Sequence, residues 1–571
     1  MSPTPRLPPD LQTRVKDTFT NVYFHAVSAL GASDSSRSSA DIARASGESI
    51  LLSIRAAISC AQREHNERLS LQNRLPVEIW CHVWQYLPFA DRIAVTHVCS
   101  RWRSTVLDFP ALWKHLTFYT TLHASHCFCA GCFDKENEEY ERHAPGWEDS
   151  RYPEHATNIL DAEIILSRAR GLPLHITLDI IPCRVRIGEL AGLLLYLSTD
   201  HPAQLRTLVV RTADVSAVYG LLRECKALPS LESLSVEALP VKDDDEPSSY
   251  PQDNSFIPRY LSLPRLETLH VFARFELQGE TLPSVRFLTF EPTHAVHAGL
   301  RMALAACPGT SHLTLRLGEL LSEKENAFSR DADWWRERVG SLTAVNVTRV
   351  PPSCTRWIHA AFPVMLPELS LEYDVLAALP VDGGILRDLE DGIRLRITTR
   401  LAGADPVLVV RGTDSRGRVR QVSHKLPAAG EQSPENQLGH IVESGWFKDC
   451  WQRVIAVTTD AKLWPPLVSA FNPFTKDAIP LRTLSIVVDN LICEPPTLRE
   501  GIEQQLPRLQ LFPALRSLTL APGTGLRSMP PKEIDIFVRG LRLTLPLDVL
   551  EIDHRLIRGG AATLKGSWIL F

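Results

Sequence analysis

Neither sign of charge is in excess along the 571 residues: 61 Lys and Arg face 66 Asp and Glu, for a formal net charge of −5. Such a balance provides no basic footprint for nucleic acid or an anionic membrane, and neither partner is expected. Long hydrophobic runs are missing too. The longest, around Leu190–Leu197, falls far short of the roughly 20 residues a membrane helix needs. The opening stretch MSPTPRLPPD carries prolines where a secretory signal has its apolar core, so no signal is expected. The 12 cysteines follow no regular framework, which points to reduced thiols and a cytoplasmic or nuclear location. Cys60, Cys81, Cys99, Cys225 and Cys307 lie in apolar-periodic segments and are expected to be buried. No glycine-rich phosphate loop, nucleophile elbow or paired-histidine zinc motif occurs, and no enzyme activity is expected. Glycine, at 29, is outnumbered by 41 prolines, which suits many short elements joined by stiff turns.

What is present begins with a Pro/Ser/Asp-rich stretch, 1–35, read as an unstructured tail. A helix is expected over 36–72, where Ile42, Ile50, Leu51, Ile54 and Ile58 recur at three- and four-residue steps. Residues 73–117 then carry three short apolar helices. Pro76 suits a first helical turn and Asp91 an N-cap; Leu75, Ile79 and Val83 share one face, with Trp80, Trp84 and Leu87 on the adjoining stripe. Four ordered blocks stand out: Leu75-Pro76-Val77-Glu78-Ile79, Leu87-Pro88-Phe89-Ala90-Asp91, Val98-Cys99-Ser100-Arg101-Trp102 and Leu112-Trp113. This run resembles the F-box. Trp80 replaces the usual aliphatic residue and Trp84 the usual Phe, both keeping apolar bulk. The whole chain looks like the large fungal family of F-box proteins with irregular leucine-rich C-terminal regions. That resemblance implies docking on the Skp-type adaptor of a cullin-RING ubiquitin ligase through an apolar contact centred on Leu75, Pro76, Ile79, Val83, Leu87, Val98 and Trp102.

Residues 118–156 form a polar, acidic insertion rich in Cys and His. Cys127, Cys129, Cys132 and His143 are the right donor types for zinc, but Cys-x-Cys-x-x-Cys lacks a second matched pair. The expectation is free thiols, with no metal and no cofactor.

From 157 to 571 a weak unit recurs: apolar-x-x-Leu-x-apolar, often after Leu-Pro or Phe-Pro. Copies include Leu205–Val210, Leu231–Val236, Leu266–Val271, Val285–Phe290, Leu481–Ile486 and Leu515–Leu520. Spacings of about 19 to 35 residues run outside the regular range of about 20–29, which predicts an irregular leucine-rich-repeat solenoid of strand and helix units, an α/β fold. Near 380–425 alternating strands around turn signals predict a β-rich interruption. The chain is therefore expected to be a substrate-recognition subunit whose repeats hold an unknown protein substrate. The alternative is an F-box scaffold that directs no ubiquitylation.

Overall fold

A computed structural model describes residues 9–33, 38–69, 75–119, 162–180, 187–212, 227–238, 261–272, 281–292, 296–317, 332–351, 366–373, 386–402, 405–425, 450–464, 480–488, 514–523 and 547–552, with a few single positions between them. The chain divides into two compact units, Met1–Leu112 and Trp113–Phe571.

The first unit is helical. α1 (Pro9–Ser33) and α2 (Ser39–Leu69) pack together; the Tyr23 hydroxyl donates to the Ala43 carbonyl at 3.4 Å, and Ile50 is buried. The helix α1 stands where an unstructured tail was expected. Its composition is Pro- and Ser-rich only at the ends; between them Val15, Phe19, Val22 and Ala26 recur at three- and four-residue steps. Three short helices follow: α3 (Val77–Gln85), α4 (Phe89–Val95) and α5 (Ser100–Asp108).

The described residues of the second unit contain one sheet of 16 strands. β1 (His115–Tyr119), β2 (Leu174–Ile180), β3 (Leu205–Thr212), β4 (Ser233–Ala238), β5 (Thr268–Phe272), β6 (Phe287–Glu291), β7 (His312–Arg316), β8 (Ala344–Thr348) and β9 (Glu368–Tyr373) pair in parallel in chain order. β10 (Ile393–Ala402), β11 (Asp405–Thr413) and β12 (Val419–Lys425) form an antiparallel meander; β12 joins β9, and β10 joins β13 (Val454–Asp460). Parallel pairing resumes through β14 (Thr483–Val488), β15 (Ser517–Pro522) and β16 (Val549–Ile552). The described helices of this unit are α6 (Ala162–Ser167), α7 (Ile187–Thr199), α8 (Val296–Ala306) and α9 (Ala332–Gly340).

Local sequence explains the strand starts. Leu228-Pro-Ser-Leu231, Leu263-Pro-Arg-Leu266, Leu282-Pro-Ser-Val285 and Cys307-Pro-Gly-Thr310 each close with an N–H to C=O bond across the turn, at 3.2, 3.2, 3.3 and 3.2 Å. Proline suits the second turn position because its ring fixes φ. A strand begins two residues beyond each turn. At Gly309 the backbone passes so close to Pro283 that a Cβ would sit 2.1 Å from its carbonyl oxygen.

Register then stacks identical positions. Leu116, Ile176, Leu208, Leu234, Leu269, Leu288, Leu313, Val345 and Leu369 form one ladder, which continues through Leu395, Val457, Leu484, Leu518 and Leu550. A second ladder, including Phe118, Leu178, Val210, Phe290, Leu371 and Val422, lies two residues on. Most of these side chains are fully buried, each worth roughly 1.5–3 kcal/mol. The first ladder is broken in the meander, where Arg420 faces Gly412. The missing Gly412 side chain leaves room: a Cβ there would lie 2.7 Å from Leu389 Cδ1. Arg420 Nη1 donates to the carbonyls of Leu366 and Val419 at 2.8 and 2.9 Å.

The meander corresponds to the expected interruption. Its β11–β12 turn is tied by Asp414, whose carboxylate accepts from the backbone N–H groups of Glu390, Arg416 and Arg418 and from Arg418 Nε. Burial pushes the Asp414 carboxyl up, but these donors together hold it below its ordinary value.

Buried histidines give this unit a pH dependence. His424 stacks on Tyr373 with ring centroids 5.0 Å apart, and burial pushes its pKa down to about 4. Burial, aided by Arg316, does the same to His270, also to about 4. The fold holds both as neutral imidazole, whereas the unfolded chain takes up protons near pH 6.5. Their stabilisation is thus complete above about pH 6.5 and is lost as pH falls from 6.5 to 4, on the order of 3 kcal/mol for His424. Urea midpoints between pH 7 and 4.5 should fall accordingly, and His424→Phe should flatten the slope; an unchanged slope would refute this assignment.

Among the expected buried thiols, Cys81, Cys225 and Cys307 are buried, but Cys60 and Cys99 are exposed. Cys60 sits on the solvent side of α2, and Cys99 precedes α5, where its sulfur accepts from Trp102 N–H at 3.5 Å. Among the described residues, no helix is long and apolar enough to cross a membrane.

Candidate protein-docking site

The helices α3 to α5 are held by three indoles. Trp80 and Trp84, four residues apart on α3, lie with centroids 6.0 Å apart, and Trp102 from α5 meets them at 5.6 and 5.1 Å. Trp84 is only 3% exposed; Cys81 beside it is buried, and its thiol pKa is raised by that burial and then by Glu78. The segment α4 locks on through Arg92. This guanidinium is buried, donates to the Leu112 carbonyl, lies 5.5 Å from the Phe89 ring centre, and is pushed down to about 10 by desolvation. Arg103 Nε closes the α4–α5 turn on the Thr96 carbonyl at 2.8 Å. The N-cap of α4 is Pro88, without a side-chain cap; Asp91, expected to cap, instead sits inside the first turn, where the helix dipole favours an acid.

With the tryptophans turned inward, the remaining apolar residues of α3 face out. Leu75, Ile79 and Val83 are exposed at four-residue steps along one side of α3 and its start; Val77 at the first turn of α3, Tyr86 (88% exposed) at its end and Val98 between α4 and α5 are exposed too. Pro76 is exposed at the helix start, while Leu87 and Trp102 are half-buried. The seven residues read from the sequence therefore divide: five stand at the surface, and Leu87 and Trp102 lie partly beneath it. Val77 and Tyr86, missed from sequence, are exposed as well, and Tyr86 continues the row by its helical position. Their signal was the same apolar character at helix-flanking positions. An uncovered apolar row on so small a helical unit is what a protein partner covers.

A second surface lies on the sheet's other face, away from the leucine ladders. It is polar, and across β2–β6 its charges are paired. Asp179 meets Arg211 at 3.7 Å, Arg211 meets Glu237 at 3.1 Å, and the Ser235 hydroxyl donates to Glu237 at 3.1 Å. Ser235 also shares a 2.9 Å hydrogen bond with His270 Nδ1, and Glu291 lies 4.0 Å from His270 Nε2 and 3.7 Å from Arg349.

Beyond the helical unit, Trp335, Trp451 and Trp464 are buried and Trp334 is half-buried. Trp446 lies outside the described residues, as do Cys127, Cys129, Cys132 and His143. Among the described residues no group of three or more metal-ligating side chains gathers.

Residues 72–119 match the family model of the F-box-like domain. No curated protein matches the chain. An F-box-like domain implies a role in protein–protein interaction, commonly with Skp-type adaptors. The matched stretch runs from before α3 to the end of β1.

Proposed function

We propose that this chain, whose residues 72–119 form an F-box-like domain, is the substrate-recognition subunit of a cullin-RING ubiquitin ligase. The observation that carries the reading is the exposed row Leu75, Ile79 and Val83, with Pro76 and Val98 also exposed, on a helical unit whose α3 and α5 are joined by three tryptophans. That row is the adaptor contact. The second unit is the substrate-binding part, an irregular leucine-rich-repeat solenoid; its stacked ladders and strands added in chain order support this. The protein performs no bond chemistry itself. It raises the local concentration of a substrate lysine near a thioester made elsewhere.

The test is capture of the adaptor by the full chain, with the cullin sought in the same complex. Adaptor and cullin together are expected. Adaptor without cullin would favour a scaffold that directs no ubiquitylation, and failure to capture the adaptor would overturn the reading.

A further inference from the structure

The antiparallel meander brings three arginines together on the polar face. In register, Arg396 of β10 is the direct partner of Arg411 of β11, and Arg394 lies two residues along β10. All three are exposed, whereas Leu395, Ile397, Val410 and Gly412 between them point into the core. Directly opposed residues in an antiparallel pair hold their Cβ atoms about 5 Å apart, and like charges so placed are destabilising. The row continues with uncharged groups: Thr458 beside Arg396, then Gln421 and Ser370 beyond Arg411. On the same face Asp179, Arg211 and Glu237 pair their charges, and Arg349 meets Glu291; these three arginines meet no carboxylate among the described residues. The arrangement costs the fold stability, a cost that carboxylates bound beside these arginines would offset.

We propose that Arg394, Arg396 and Arg411 form the docking site for a short acidic segment of a partner protein, bound through its Asp and Glu carboxylates. Guanidinium forks match carboxylates in geometry, and two forks rising side by side can grip neighbouring carboxylates of one peptide. Thr458 and Gln421 add neutral donors along the row. A continuous polyanion such as nucleic acid fits less well. It would run onto Glu368 and Glu372 of β9 and Glu291 of β6, which lie on the same face. The inference rests on reading the second unit as the part that binds the target, and it names the chemistry of that target.

The test uses the full-length chain and a fluorescein-labelled oligoglutamate peptide, with oligolysine and Gly-Ser peptides as controls. Oligoglutamate should bind at low ionic strength, and binding should weaken as salt rises. Arg396→Glu should weaken it at least about tenfold. The same change turns a like-charge pair into an opposite-charge pair, so the melting temperature should not fall, which separates lost binding from lost fold. A control with Arg265→Glu and Arg336→Glu, exposed arginines elsewhere, should bind as the parent does. Equal binding by Arg396→Glu and parent, or no oligoglutamate binding at all, overturns the proposal; so does clear preference for a phosphoserine peptide over oligoglutamate. Adaptor capture is read on the same samples. A chain that captures adaptor but ignores oligoglutamate sinks this inference alone, and one that binds oligoglutamate through Arg396 without capturing adaptor sinks the ligase reading alone.

Discussion

A chain carrying Ile79→Ala and Val83→Ala should bind the Skp-type adaptor at least about a hundredfold more weakly than the parent, with its melting temperature almost unchanged. Both side chains stand exposed on one side of α3, one helical turn apart, so truncating them removes little from the unit's own core. In a complex each would be buried, at roughly 1.5–3 kcal/mol. Two such losses amount to about two orders of magnitude or more in affinity, allowing for the non-additivity of interface contacts. Trp84→Ala makes the contrast. It empties the centre of the indole cluster, costs about 3–5 kcal/mol, and should abolish binding by unfolding the first unit rather than by stripping its surface. Calorimetric titration of adaptor into both variants, with melting curves alongside, separates the effects. Unweakened binding by the folded double variant would remove this face as the contact.

The sequence made some of this legible and hid the rest for physical reasons. The strands β3 to β9 could be read because their signals are local: short alternating apolar runs centred on a buried Leu or Val, preceded by a Leu-Pro turn before β4, β5 and β6 and by Cys307-Pro308 before β7. Strand β13 lacks that signature; the chain reaches it through Trp451-Gln-Arg-Val454, with no Leu-Pro before it. Strand β1 was hidden because His115–Tyr119 directly follows Leu112-Trp113, and the helical motif claimed the whole stretch. On α3 the four-residue spacing showed two apolar stripes, but not which one turns inward. That is decided by Trp102, which arrives from α5 and draws Trp80 and Trp84 to itself. The arginine cluster was illegible because it exists only through register. Arg396 and Arg411 are 15 positions apart in sequence, and nothing short of the hairpin's alignment makes them neighbours.

Strand β1 also decides where the second unit can be cut. A fragment beginning at residue 157, where the sequence places the start of the repeat region, should be markedly less stable than one beginning at Trp113. The shorter fragment lacks β1, which pairs with β2 from His115 to Tyr119 and contributes Leu116 and Phe118 to the two core ladders, Phe118 with no exposed surface at all. Losing these two side chains costs on the order of 3–6 kcal/mol, a large share of the 5–15 kcal/mol typical of a folded domain. It also leaves the backbone of β2 as an open parallel edge and removes the β1 neighbours of Ile176 and Leu178, an invitation to strand-to-strand association. Trp113 belongs on the retained side of the cut, because it is buried with the Arg168 guanidinium 5.1 Å from its ring centre. The fragment from Trp113 should show the urea midpoint of the second unit in the full chain and remain monomeric. The fragment from 157 should unfold at clearly lower urea and elute as aggregates. Equal midpoints for the two would mean that β1 contributes nothing to the sheet it borders.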